Sequence, residues 1–321
     1  MPPALQTTSR SQYAPIFLEA ERYPKPHLTA TLRGAGGKKF LARAIRLPHE
    51  LRMPELKAFA SSVAVVVSSC DSFFDAWRPF VFFFRKYWPD CPFPIFLIVN
   101  RLQMRSAIVQ PIAVGPDREW ASNMIAALPS IPQPYILYFQ EDYFLNGRVN
   151  SELLAEDFAY AFHHDVASFC FQARGELEPN FQPLNGRFGV VPRDSDGRTR
   201  LQVTLWKKAV LQATLRPGET AWNMEARASE RTRDLLALSY LQRRNRPIPY
   251  LMSAIVRGLW MPEAISLCHE AGIEIRPRFR SLHSDVAWRR RFRRGLDRLK
   301  LAFWLARQRR RGVIDVDAPS D

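Results

Sequence analysis

The sequence predicts an α/β fold: a mixed, mostly parallel central sheet flanked by helices, with a basic amphipathic helix at the C-terminal end. Three observations predict it. Charge-free runs of strand length recur, VAVVV at 63–67, IFLIV at 95–99 and YILYF at 135–139, each with the continuous apolar texture of a strand covered on both faces. Segments with apolar residues at helical intervals alternate with them, the pattern of an α/β domain. Two of the runs also end in small polar or acidic residues, SSCD and QED. In open sheets of this class such strand ends are where ligands bind.

Composition bounds the rest. A chain of 321 residues with 47% hydrophobic and 12% aromatic residues can bury a large core, which excludes general disorder, while 25 prolines predict many irregular connections. The formal charge of +15 is concentrated towards the termini. Cys70, Cys91, Cys170 and Cys268 are widely spaced, without a CxxC pair or a matching histidine pattern, and read as free thiols in a reducing compartment. The N-terminus MPPALQTTSRSQY lacks the charged-then-apolar order of a secretory signal, and the densest apolar segment, RPFVFFFRKYW, is too short and too charged to span a bilayer. A cytoplasmic protein is expected, peripheral on the inner face of the cell membrane.

Taken in order, residues 1–60 form a polar, basic, proline-rich extension containing RGAGGKK, and one α/β domain is expected over 61–280. VAVVVSSCD is its first strand. SFFDAWRPFVFFFRKYW is a helix, PDCPFP a break and IFLIVN a second buried strand, together a β-α-β unit whose right-handed crossover puts both strand ends on one edge. A helix starts near Ser122-Asn123 and ends near Leu128, before PSIPQP. The strand Tyr135–Phe139 then runs into Glu141 and Asp142, and Asn146-Gly147 makes a turn. SELLAEDFAYAFHH reads as a helix closing on His163-His164, VASFCF as a strand, 172–200 as polar loop, and LQVTLWKKAVLQATL as strand followed by helix, with Trp206 in the core.

Adjacent carboxylates repel and resist desolvation unless a positive group sits with them, and a divalent metal carrying a phosphate meets that need. An acidic pair also serves as a solvated strand end or a helix cap, and Asp71 and Asn123 can each cap a following helix. His163 and His164 lack a third ligand at metal-binding spacing.

Four stretches occur in sequence over roughly 63–260: VVVSSCDSFFDAWRPF, WASNMIAALPSIPQPYILYFQEDYFL, LQVTLWKKAVLQATLRPGETAWNMEARAS and YLMSAIVRGLW. Their order and spacing resemble the GT-A-type glycosyltransferases, particularly bacterial enzymes that build capsule or lipopolysaccharide chains. The resemblance implies a GT-A-like (Rossmann-like) fold whose first strand ends at the nucleotide, and a DxD-like motif that holds a divalent cation against the sugar-nucleotide diphosphate. Carried over, it puts Ser68, Ser69 and Asp71 near the base or ribose, and Asp117, Ser122 and Asn123 close to the nucleotide sugar. QED takes the DxD position. Gln140 replaces the first carboxylate, which puts strict metal dependence in question and leaves Asp142 as the metal ligand for Mn2+ or Mg2+, with Glu141 assisting in nucleotide-sugar binding. The general base falls on Glu225 in AWNMEA, and the neighbouring Trp222 offers a face for the acceptor sugar ring. Read without the resemblance, Glu225 is a surface glutamate and Trp222 a core residue.

Over 281–321, in DVAWRRRFRRGLDRLKLAFWLARQRRR, Trp288, Phe292, Leu296, Leu299 and Phe303 recur at helical steps amid arginines. This is the pattern of a helix lying on an anionic membrane surface, or of an ordinary C-terminal helix packed on the domain; the aromatics face away from the cationic side, so no nucleic acid is expected. The sequence therefore predicts an inverting glycosyltransferase that takes a nucleotide-sugar donor and a glycan or lipid-linked glycan acceptor. The alternatives are a noncatalytic membrane-attached scaffold of the same fold and a nucleotidyltransferase; the latter lacks its glycine- and lysine-rich loop after the first strand.

Overall fold

Uniformly apolar strands need cover on both faces, and the structure supplies it. The computed structural model describes residues 55–174, 178, 180–275, 279–283 and 287–318. Residues 1–54, most of the expected N-terminal extension, lie outside the described residues, as do the side chains of Trp288 and Phe292.

The elements run β1 (Val63–Ser68), α1 (Phe74–Tyr87), β2 (Ile95–Val99), β3 (Met104–Arg105), β4 (Val109–Ala113), α2 (Trp120–Ala127), β5 (Tyr135–Gln140), α3 (Ser151–His163), β6 (Ser168–Ala173), β7 (Gln182–Pro183), β8 (Phe188–Val190), β9 (Thr204–Lys207), α4 (Lys208–Thr214), α5 (Ala221–Arg231) and β10 (Ala237–Tyr240). A short hairpin, β11 (Ile255–Val256) and β12 (Leu259–Trp260), leads into α6 (Pro262–Glu270), α7 (Ala287–Arg311) and β13 (Ile314–Asp315). Among the described residues, nine strands form one sheet in the order β4-β2-β1-β5-β9-β6-β10-β8-β7. Only β8 and β9 run against the others, so the sheet is mixed and mostly parallel. This is the class the sequence predicts.

The strand period of two sorts the core into two layers. Val63, Val65, Val67, Leu97, Leu137 and Phe139 face one cluster with Trp77, Phe80 and Phe84 of α1 and Phe158 of α3. Ala64, Val66, Ile98, Ile136 and Tyr138 face the other, with Met124 of α2, Leu211 of α4, and Met224 and Ala228 of α5. Trp206 is buried there, as expected.

Packing reaches beyond residues 61–280 at both ends. Leu56 is buried in a 3-10 turn, and the Phe59 ring lies 5.7 and 5.2 Å from those of Phe158 and Phe162, so the ordered core begins before residue 61. The C-terminal segment is likewise built in: β13 pairs in parallel with β3, and Trp304 of α7 stacks on Phe74 at 3.7 Å.

The direction of β9 places the site. Because β9 is antiparallel to β5, with Thr204 opposite Tyr138, the chain leading into β9 arrives where β5 ends. Residues 201–203 are thereby brought towards the end of β5, where Leu201 meets Tyr143.

Candidate functional site

The C-terminal ends of β1 and β5 lie side by side, Ser68 opposite Gln140, and the Glu141 N–H donates to the Ser68 carbonyl at 3.3 Å. Beyond β1, Ser69 is buried and its Oγ accepts from the Trp77 indole N–H at 2.7 Å, which fixes α1 against the strand end. Asp71 is buried and fully engaged. Its carboxylate accepts from the backbone N–H groups of Asn100, Arg101 and Leu102 at 2.8, 3.0 and 3.1 Å, while its own N–H donates to Asn100 Oδ1 at 2.9 Å. The residue that can be read as a helix cap instead clamps the loop after β2.

Asp117, Ser122 and Asn123 form a second group. Asn123 Nδ2 donates to Asp117 Oδ1 at 2.8 Å, and Ser122 Oγ accepts from the Gly218 N–H at 3.0 Å. The Ala121 N–H also donates to the Glu219 carbonyl at 3.0 Å. Helix α2 is therefore tied to the turn that starts α5, and these residues set the position of that helix.

Glu141 and Asp142 are both buried, so they are not a solvated strand end. Asp142 Oδ2 accepts from the Ile255 N–H at 3.2 Å, and its carbonyl accepts from the Ala254 N–H at 2.9 Å, so the β11–β12 hairpin packs on the pair. That hairpin turns at Arg257 and Gly258, with φ of 52° and 75°, values that glycine reaches without strain at the second position. Asp142 Oδ1 is buried with no hydrogen-bond partner among the described residues. An orphaned buried oxygen of this kind costs about 1–3 kcal/mol. Burial pushes the Asp142 carboxyl up to about 7, although the Ile255 N–H and the guanidinium of Arg280 favour its charged form. Burial, and then the charge of Asp142 beside it, holds Glu141 well above the ordinary carboxylate range. Arg280 compensates only in part, being committed to Asp75 at 2.8 Å and seated 4.3 Å from the centre of the Phe73 ring.

A divalent cation would find few ligands of the protein's own here. No group of three or more His, Cys, Asp or Glu side chains able to hold a metal occurs among the described residues. Asp142 Oδ1, with Glu141 beside it, would supply the protein's share, and substrate phosphates and water the remainder, which is how Mg2+ and Mn2+ are commonly held with nucleotides.

Glu225 reaches the same end of the sheet through one residue, Leu201. Its Oε1 accepts from the Leu201 N–H at 2.6 Å, and the Leu201 carbonyl accepts from the Tyr143 hydroxyl at 3.3 Å, one residue beyond Asp142. Burial raises the Glu225 carboxyl above its ordinary value, against the Leu201 N–H, Arg200 and Arg174. Trp222, one turn earlier on α5, is 71% exposed. It is not a core residue.

At the ends of β1 and β2 lies a cavity of about 280 Å3, lined by Asp71, Asn100, Arg101, Asp117, Leu305 and Arg309 among others. Asn100 is buried, and its Nδ2 has no acceptor among the described residues. Arg309 reaches in from α7 and donates to Asp71 Oδ2 at 3.3 Å. Asn100, Arg280, Leu305 and Arg309 escaped the sequence reading. IFLIVN marks Asn100 as a strand-end residue comparable to Ser68, whereas Arg309 is one arginine among many and has no local signal.

No family profile matches this sequence, and no curated protein does. Solved structures similar to it include residues 1–349 of S. aureus TarS, 12% identical over 59% of each chain with a TM-score of 0.40. The same TarS chain in complex with UDP-GlcNAc is 11% identical over 59% of this chain and 57% of that one, with a TM-score of 0.41. A mycobacterial protein is 15% identical over 63% of this chain and 74% of that one, with a TM-score of 0.32. This chain spans less than two thirds of the length of those TarS chains. Likenesses at these scores carry no functional inference.

Proposed function

We propose that this protein is a nucleotide-sugar-dependent glycosyltransferase acting on a glycan or lipid-linked glycan. The observation that carries the reading is the buried acidic pair at the end of the central strand, with an orphaned Asp142 oxygen and a link through Leu201 to a third carboxylate, Glu225. A buried acidic pair of this kind is costly unless a cation sits with it.

The donor's base and ribose occupy the cavity bounded by Asp71, Asp117 and Arg309, where the unpaired Asn100 N–H donates to a base carbonyl and Arg309 supplies positive charge. Asp142 would hold a Mg2+ or Mn2+ ion, whose charge would offset the negative charge that develops on the departing diphosphate. The Leu201 N–H holds Glu225 by Oε1, leaving Oε2 to take the proton from the acceptor hydroxyl. The acceptor oxygen attacks the anomeric carbon, the bond to the diphosphate breaks with its electron pair leaving on the diphosphate, and the configuration inverts. Trp222 offers an exposed ring face to the acceptor sugar, as apolar sugar faces require.

The test is calorimetric titration and turnover with a panel of nucleotide sugars and Mn2+, beginning with UDP-GlcNAc, the ligand in one TarS complex. Binding with slow release of the nucleoside diphosphate is expected. Failure of every nucleotide sugar and diphosphate to bind would overturn the reading. Gln140, in the place of a carboxylate, favours one rival: a scaffold that keeps the fold and binds nucleotide without turning it over. Tight binding with no turnover for any acceptor would select it.

A further inference from the structure

Helix α7 has two unlike faces. Its inner face is committed: Trp304 stacks on Phe74, Leu305 packs on the core, and Leu305 and Arg309 line the cavity at the ends of β1 and β2. Its outer face carries exposed apolar side chains. Leu296, Leu299 and Phe303 are 48%, 70% and 71% exposed. At about 100° per residue they fall within an arc of about 60°. Lys300, Arg307 and Arg310 are exposed on or beside that arc, and the one acid of the helix, Asp297, is turned inward to accept from Ser281 at 2.9 Å.

We infer that the outer face of α7 is a docking surface for an anionic phospholipid bilayer. Charge complementarity chooses this occupant. Three large apolar side chains in line, edged by cations with the acid drawn to the other side, match acyl chains beneath negative headgroups. A second copy of the same face would oppose cations to cations. A nucleic acid would leave Leu299 and Phe303 without an apolar partner, since phosphate contacts dominate that kind of binding. No helix among the described residues is long and apolar enough to cross a membrane, so contact through this helix is interfacial. The geometry has a further consequence. A helix is about 10 Å across, so bilayer contact on the outer face holds the cavity lined by Leu305 and Arg309 about one helix diameter from the headgroups. A lipid-linked acceptor would meet the site there.

The test is flotation of the full-length protein with vesicles of pure phosphatidylcholine and with vesicles containing phosphatidylglycerol. Expected are binding to the anionic vesicles only, weakening several-fold as salt is raised from about 0.1 to 0.5 M, and a loss of about tenfold or more in Leu299→Glu and Phe303→Glu. Both variants should keep the far-ultraviolet spectrum and melting temperature of the parent, because neither side chain is part of the core. Absent binding, equal binding to zwitterionic vesicles, or variants that bind as well as the parent would overturn the inference. So would a dimer in light scattering that the same substitutions dissolve, or a preference for duplex DNA over vesicles. The assay contains no nucleotide sugar, so its outcome is independent of the transferase reading.

Discussion

Asp142 is the residue on which the site's electrostatics turn. Its folded carboxyl titrates near 7 against an ordinary value of 3.8, so between those values the folded state holds a proton that the unfolded chain has already released. Stability of the ligand-free protein should therefore fall as pH rises through that window. Asp142→Asn keeps an acceptor for the Ile255 N–H and removes the buried charge. Denaturation at pH 5 and pH 7.5 should show a flatter pH dependence and an unchanged or higher melting temperature, while Mn2+-supported binding of a nucleoside diphosphate falls roughly 100-fold, within the range for disturbed metal sites. A melting temperature lowered at both pH values would make Asp142 a structural residue instead. Glu225→Gln should keep the Leu201 contact and donor affinity yet lower transfer by about 10²–10⁴-fold, the usual contribution of a general base. Since burial raises the Glu225 carboxyl, the parent's acid limb in kcat/KM should lie above the pH range of a free glutamate, with activity lost as pH falls through it. Asp71 belongs to a different kind of role. Asp71→Ala strips the acceptor from three backbone N–H groups and should cost about 2–5 kcal/mol in urea unfolding, through groups worth about 1–3 kcal/mol each.

At the scale of elements, the question is what holds α5 over the end of β5. The helix starts on a side-chain cap, Thr220 accepting from the Asn223 N–H at 3.2 Å, and buries Met224 and Ala228 in one core layer. Its leading turn is attached to α2 by Ser122 and by the Ala121 N–H. Ser122→Ala removes one exposed link of about 1 kcal/mol. Global stability should scarcely change, whereas kcat falls several-fold at constant donor affinity, because the Glu225 side chain shifts relative to the acceptor; a loss of donor affinity with constant kcat would instead put Ser122 on the nucleotide sugar. The hairpin β11–β12 does for Asp142 what this link does for Glu225. It is the fourth of the stretches on which the family resemblance rests, and its backbone meets the acidic pair directly.

At the scale of the whole molecule, the C-terminal segment is integral. Helix α7 covers Phe74, ion-pairs Arg309 with Asp71, and delivers β13 to β3. A chain ending at residue 283 should expose those surfaces and melt well below the parent in a thermal scan, or aggregate; an unchanged melting temperature would mean that the segment is a detachable tail, as its charge alone suggests. How far this architecture was legible follows the same physics. β1, β2 and β5 are plain in the sequence because burial on both faces demands an unbroken apolar run. β4 escaped notice: VQPIA has mostly half-exposed or exposed residues and carries Pro111, which an edge strand tolerates and a central one does not. β10 did too, being four residues long, ALSY, with a register shift within it.

The sequence by itself determined the class of the fold, the two-faced strands and the position of Glu141 and Asp142 at a strand's end, since each depends on residue types within a few positions of one another. Tertiary structure alone decided which partners those acids meet. The reversed direction of β9 delivers Leu201, and through it Glu225, to Tyr143, the residue after the acidic pair, and the return of α7 brings Arg309 to the cavity. Contacts between residues so distant along the chain are set by how elements pack, and local periodicity holds no record of them.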